Sequence, residues 1–269
     1  MIMEKKNSAG YKPIEAMTVA ASQLLHDGEV VFVGTGLPML AAILAKNTHA
    51  PDLVMVTEAG IYDPNPEHLP MSVSDARWFK GSPWSGGPVE LMNFFLQKGR
   101  IDVGFLGGAQ VDKYGNGNST VIGDYLHPER RLPGSGGACD IAIQSKRTIL
   151  IMMHEIRRFV EKVDYITSPG WKCPGYPQQD NLMDRTELGL AGGPDAVVSD
   201  MGVMKFDPRS REMYVKFYFS GLGITPEKIQ EHTGFAIDIS RAEPLPPPEK
   251  VLFDILRSKV DPEGLFLGR

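Results

Sequence analysis

The chain has 269 residues, 42% of them hydrophobic and 23% charged, which is the composition of an ordinary globular protein and fits one large α/β domain. A formal net charge of −5 with scattered basic residues gives no electrostatic reason to expect a nucleic-acid surface. No apolar run reaches the ~18 residues of a membrane span. The polar start MIMEKKNSAGYKP lacks a signal-peptide core, and two cysteines, Cys139 and Cys173, are too few for a disulfide scaffold, so a reducing cytoplasm is expected.

In chain order, residues 1–13 read as an N-terminal extension and 14–269 as a single domain. Ile14, Met17, Ala21, Leu24 and Leu25 form a helix-period stripe over 14–26, stopped by Asp27-Gly28. Val30–Val33 is a short β-rich run, followed by Gly34-Thr35-Gly36-Leu37-Pro38 and a helix through Ala41–Ala45. Leu53–Thr57 is the next strand. The stretch 61–88, rich in Pro, Gly and Ser, is irregular, and a long irregular segment in a compact domain is usually functional or part of an interface. Leu91, Phe94 and Phe95 mark a helix, and Asp102–Leu106, Thr148–Met153 and Ala196–Ser199 mark strands. Val203–Phe219 reads as an antiparallel hairpin turning at Asp207–Arg211. Thr225-Pro226 starts a helix with Thr as cap, and PLPPPE (244–249) is a rigid spacer before a last helix, Val251–Lys259. Strand, glycine turn and helix in alternation predict an α/β fold, an open and mostly parallel sheet covered by helices, with an antiparallel hairpin at one edge.

Within that frame Glu58 stands out. It ends an apolar strand and is followed by Ala59-Gly60, so it brings one carboxylate to a strand tip where no bulk blocks close approach. Carboxyl ends of strands are where open α/β sheets bind ligands. Two Gly-rich stretches, LGGAQVDKYGNGNST (106–120) and LPGSGGACD (132–140), are its expected partners. Gly134-Ser135-Gly136-Gly137-Ala138 can aim several backbone N–H groups into one cleft, as an oxyanion needs.

Other motifs fall short of chemistry. Gly34-x-Gly36 lacks the third glycine of a dinucleotide loop, because Met39 stands there, and reads as a tight turn. His154-Glu155 begins like a zinc-protease helix, but Arg158 occupies the second histidine's place. Cys139 has no base nearby in sequence and reads as a small buried residue. Asp112, Asp124 and Asp140 read as turn formers or caps.

The motifs VGTGLP, APDLVMVTEAG, LGGAQVDKYGNGNST, IGDYLHPERRLPGSGGACDIA, MMHEIRRFVEKVDYITSPGW and GVMKFD together resemble the class I CoA-transferase family, and within it the β subunits of the glutaconate type. The resemblance runs from residue 14 to the C-terminal helix, and the family's catalytic glutamate falls on Glu58 without a gap from Ala50-Pro51-Asp52. It implies a separate α subunit of related fold, in an obligate α2β2 or larger heteromer, and no permanently bound cofactor, with coenzyme A as a substrate. It implies ping-pong transfer through a glutamyl-CoA thioester on Glu58. Gly136 or Gly137 is then the expected backbone donor, and Gly60, Gly107, Gly108, Gln110, Asn118, Ser119 and Ser135 the expected lining of the CoA and substrate cleft. Two departures bear on which acid is accepted. Ala59 stands where the glutaconate enzymes carry Ser, and Cys139 where a polar amide is expected.

Two other readings stay open at this stage. An acyl-CoA hydrolase, ring-cleaving hydrolase or decarboxylase on the same fold would use Glu58 as a general base. A non-catalytic ligand-binding α/β module would keep the cleft and dispense with Glu58.

Overall fold

The computed structural model describes residues 10–175 and 181–268. Ten strands form one sheet, in the spatial order Glu243–Pro244, Met213–Tyr218, Gly202–Phe206, Pro194–Val198, Arg147–Ile151, Val103–Leu106, Val30–Val33, Val54–Thr57, Ile61–Tyr62 and Trp84–Ser85. The run from Pro194–Val198 to Val54–Thr57 is parallel throughout. These strands are mostly apolar, as strands covered on both faces must be, and Val103–Leu106 is buried at every position.

Helices Pro13–Ser22 and Leu37–Lys46 bury most of their length against the core, and Pro13 takes the first helical position, where its missing N–H costs nothing. The helix expected over 14–26 ends at Ser22, whose hydroxyl bonds back to the Val19 carbonyl. Helix Ala138–Gln144 packs against Val103–Leu106 through Gly104. A Cβ there would lie 2.3 Å from Ile141 Cγ2, so glycine is what lets the helix lie so close. Thr225 caps Pro226–Glu231 by accepting from the Lys228 amide, as the sequence predicts.

The expected hairpin is present as Gly202–Phe206 and Met213–Tyr218. Glu243–Pro244 pairs parallel outside it, so the hairpin is not the outermost element there, whereas the opposite edge is antiparallel. Ile61–Tyr62 folds back on Val54–Thr57 and Trp84–Ser85 follows it, so the irregular stretch 61–88 closes the sheet beside Glu58. Both strands have two residues, too short to show a period. Among the described residues, three small hairpins lie outside the sheet: Gln110–Val111 with Gly117–Asn118, Val121–Gly123 with Pro128–Arg131, and Lys172–Pro174 with Leu182–Asp184.

Of the N-terminal extension, residues 1–9 lie outside the described residues. Tyr11 stacks on Phe253 at 4.6 Å, and Arg257 donates to the Gly10 carbonyl, so the following residues dock on the last helix, Lys250–Ile255. Among the described residues, no helix is long and apolar enough to cross a membrane.

Candidate active site

Val33 pairs with Thr57, so Gly34 and Glu58 leave the sheet side by side at its carboxyl edge. Thr57 is buried and Glu58 half-buried. The turn after Glu58 depends on Gly60, which has φ +87° and donates its amide to the Thr57 carbonyl at 2.9 Å. The Gly60 carbonyl accepts from the Gly86 amide at 2.9 Å, which ties the second edge strand to the tip.

The two Gly-rich stretches meet each other and the carboxylate. The Gly137 amide donates to Glu58 Oε1 at 3.1 Å. The Gly134 amide donates to the Ser119 carbonyl at 2.9 Å, and the Ser119 hydroxyl returns a bond of 2.9 Å to the Gly134 carbonyl. Leu132 adds a bond to the Thr120 carbonyl at 3.0 Å. Among the described residues, Glu58 Oε2 receives no hydrogen bond. The carboxylate is thus held by one oxygen, and the other accepts from no group among the described residues.

The remaining expected residues separate into two groups. Gly136 and Ser135 are exposed beside Gly137, and a Cβ on Gly136 would stand 3.5 Å from Glu58 Oε1. The Ser135 hydroxyl accepts from the Cys139 amide at 3.4 Å, in the first turn of the helix. Gly107 is exposed, and a Cβ there would meet nothing within 4 Å, so the strand end leaves open space. Gly108 lies against the Gln110 and Asn118 backbone oxygens, each 3.2 Å from where its Cβ would be. Gln110 and Asn118 point inward. The Asn118 amide donates to Gln110 Oε1 and to the Val121 carbonyl, each at 2.7 Å, and Gln110 Nε2 donates to Asp164 at 2.9 Å. Asn118 is fully buried, so these amides brace the loop from beneath and present no face to a ligand. Gly60 is likewise buried and shapes the turn without facing the cleft.

Of the residues set aside on the sequence, Asp112, Asp124 and His154 have structural roles, and Cys139 is half-buried where full burial was expected. Asp112 accepts from the Tyr114 and Asn116 amides, and Asp124 from those of Leu126 and His127, both as turn formers. Burial pushes the Asp112 carboxyl up to about 6. His154 sits in the core between the hydroxyls of Ser199 and Thr233, stacked on Phe159, and burial lowers it to about 3, so it is neutral. Burial, then the neighbouring Asp140 charge, pushes the Cys139 thiol up, the opposite of what a nucleophilic cysteine needs. Among the described residues, no group of three or more His, Cys, Asp or Glu is placed to hold a metal ion.

One residue near the site is invisible to motif reading. Arg185 is fully buried, and its guanidinium donates to the carbonyls of Pro169, Gly170, Ala142 and Ala191. It ties the end of the Gly137 helix to the 169–170 loop. An arginine in a polar, loop-like stretch gives no sign that it is buried.

Comparison with known proteins agrees with this geometry. The profile of the family described as coenzyme A transferase matches residues 14–229. The subunit designated B of glutaconate CoA-transferase from Acidaminococcus fermentans is 42% identical over 264 residues, covering 95% of this chain and 94% of that protein. Its counterpart of the same designation in the 3-oxoadipate CoA-transferase of Pseudomonas knackmussii is 43% identical over 230 residues, 85% of each chain. The crystal structure of glutaconate coenzyme A-transferase from Acidaminococcus fermentans superposes with a TM-score of 0.88 at 39% identity, over 97% of this chain and 99% of that one. With a matching profile over most of its length, a shared sheet and a carboxylate at the strand tip, the chain belongs to the coenzyme A transferase family.

Proposed function

We propose that this chain is the β-type subunit of a two-chain CoA-transferase and that Glu58 carries the acyl group and then the CoA. The observation that carries this reading is the bond from the Gly137 amide to Glu58 Oε1, which leaves Oε2 as the nucleophile. Oε2 attacks the thioester carbonyl of an acyl-CoA. The C–S bond breaks, CoA departs as its thiolate, and a mixed anhydride joins the acyl group to Glu58. The thiolate then attacks the glutamyl carbon. Negative charge builds on Oε1, where the Gly137 N–H already points, and the first acid leaves as its carboxylate. A second carboxylate reverses both steps and leaves as the new CoA ester, with no net proton transfer.

Coenzyme A is a substrate in this scheme, and no bound cofactor takes part. Gly107, Gly136 and Ser135 are the cleft positions open to substrate, while Gly60, Gly108, Gln110, Asn118 and Ser119 shape and brace it. Both relatives are one subunit of an enzyme with more than one kind of chain, which supports a second, α-type chain as partner, assembled in an α2β2 or larger heteromer. A dicarboxylate of the glutaconate or oxoadipate kind is the favoured acid, with Ala59 and Cys139 the residues here that bear on the choice.

Glu58→Gln tests the reading, since glutamine keeps the shape and the acceptor for Gly137 but cannot become an anhydride. In the purified two-chain complex, CoA transfer should fall by more than about 10³-fold with the melting temperature unchanged. Transfer within about tenfold of wild type would overturn it. Equal CoA release with and without an acceptor acid would instead favour a hydrolase.

A further inference from the structure

Two adjacent hydroxyls hold the Gly-rich loop from both ends. Thr167 and Ser168 are buried, at 4% and 5% exposure. The Thr167 hydroxyl accepts from the Ser119 amide at 2.9 Å and bonds the Thr120 hydroxyl at 2.7 Å. Ser119 in turn grips Gly134 by both its carbonyl and its hydroxyl. The Ser168 hydroxyl donates to the Ala138 carbonyl at 3.3 Å, one residue beyond Gly137. Thr167 therefore fixes the start of the segment 134–138, and Ser168 fixes its end.

The backbone beneath them is pinned independently. The Thr167 and Ser168 amides both donate to the Gly117 carbonyl, the Gly117 amide donates to the Ser168 carbonyl, and the Gly170 amide donates to the Asn116 side chain. Arg185 donates to the carbonyls of Pro169 and Gly170. Gly134 and Gly136 both have positive φ, so the loop between the two anchors has little stiffness of its own.

We infer that Thr167 and Ser168 are positioning residues for the reaction at Glu58: their hydroxyls set the direction of the Gly137 N–H. This rests on the functional reading above and adds two residues that touch neither Glu58 nor the open cleft. Their effect should fall on the chemical step. A displacement of the donor by about 1 Å costs rate and leaves substrate affinity nearly untouched.

The test uses the two-chain complex carrying Thr167→Val, Ser168→Ala, and the hydroxyl-retaining Thr167→Ser and Ser168→Thr. In T167V and S168A, kcat should fall by about tenfold or more while KM for the acyl-CoA stays within about threefold. The ratio of transfer to hydrolysis should fall with it, since a misdirected donor prolongs the exposed anhydride. T167S and S168T should recover most of kcat. Hydrogen exchange followed by mass spectrometry gives a readout if activity collapses: exchange over 132–140 should rise in T167V and S168A while the central strands keep wild-type protection. Turnover within about twofold of wild type in T167V and S168A, or no recovery with the retained hydroxyls, would overturn the inference. So would exchange that rises across the whole chain with no excess over 132–140. A wild-type complex that turns over without an adduct on Glu58 would remove the functional reading, and the positioning role with it.

Discussion

Gly60→Ala puts a methyl where the strand tip has no room for one. A Cβ on Gly60 would lie 2.5 Å from the Gly86 carbonyl oxygen and 2.7 Å from that of Gly87, both backbone atoms, at φ +87°. Two costs add there. The left-handed conformation costs an alanine about 1–2 kcal/mol, and displacing packed atoms costs about 1–3 kcal/mol. Gly60→Ala should therefore lose roughly 2–5 kcal/mol. Gly223 provides the control, because it is left-handed at φ +69°, ψ +24° and has nothing within 4 Å of the same methyl. Gly223→Ala should lose only the first part, about 1–2 kcal/mol. Urea unfolding followed by tryptophan fluorescence measures both variants on one scale. Because the Gly60 carbonyl anchors Gly86 beside Glu58, Gly60→Ala should also lower turnover of the two-chain complex, by about 10²-fold if the carboxylate moves 1 Å. Equal losses of stability in the two variants would refute the steric argument.

His154 makes the fold acid-sensitive. Its folded pKa is lowered to about 3 from an unfolded 6.5, so its contribution is complete above pH 6.5 and shrinks as pH falls toward 3. At pH 5 that amounts to about 2 kcal/mol. Asp112 works in the opposite sense between pH 4 and 6, since its raised carboxyl binds a proton in the folded state first. Subtracting the urea stability of His154→Gln from that of wild type at pH 7.5 and 5 isolates the histidine, and a difference that does not shrink toward acid would contradict its neutral burial. Gly104→Ala should cost about 1–3 kcal/mol through its 2.3 Å approach to Ile141 Cγ2. Adding Ile141→Ala should cancel part of that extra loss in a double-mutant cycle, the approach to Ser145 Oγ at 2.7 Å remaining, and strictly additive losses would show that the Ile141 contact is not the cause.

Much of the frame was legible in the sequence because it rests on long, periodic segments. Val30–Val33 is a strand at those same residues, and the central parallel order follows from apolar runs that both faces bury. Glu58 could be located because a lone acid after the strand run Leu53–Thr57 and before Ala59-Gly60 has few other uses. The meeting of 106–120 with 132–140 was legible only as an association of glycine-rich stretches, and the bonds that join them run through Ser119 and Thr120.

Side-chain direction was hidden. Gln110 and Asn118 lie in a motif that looks ligand-facing, yet their pairing with each other turns both inward. The edge strands Ile61–Tyr62 and Trp84–Ser85 left no period to read. Arg185, Thr167 and Ser168 lie in stretches of loop-like composition, and their roles come from partners distant in sequence, such as Ala142, Ser119 and Ala138.

Borohydride trapping of the covalent intermediate tests the central claim most directly. The two-chain complex is incubated with an acyl-CoA alone, treated with borohydride, digested and sequenced by mass spectrometry. A glutamyl thioester is reduced to the alcohol, so the peptide containing Glu58 should carry that change in proportion to the activity lost, and Glu58→Gln should carry none. An active complex whose Glu58 stays unmodified, or whose adduct forms on another side chain such as Cys139, would contradict the account.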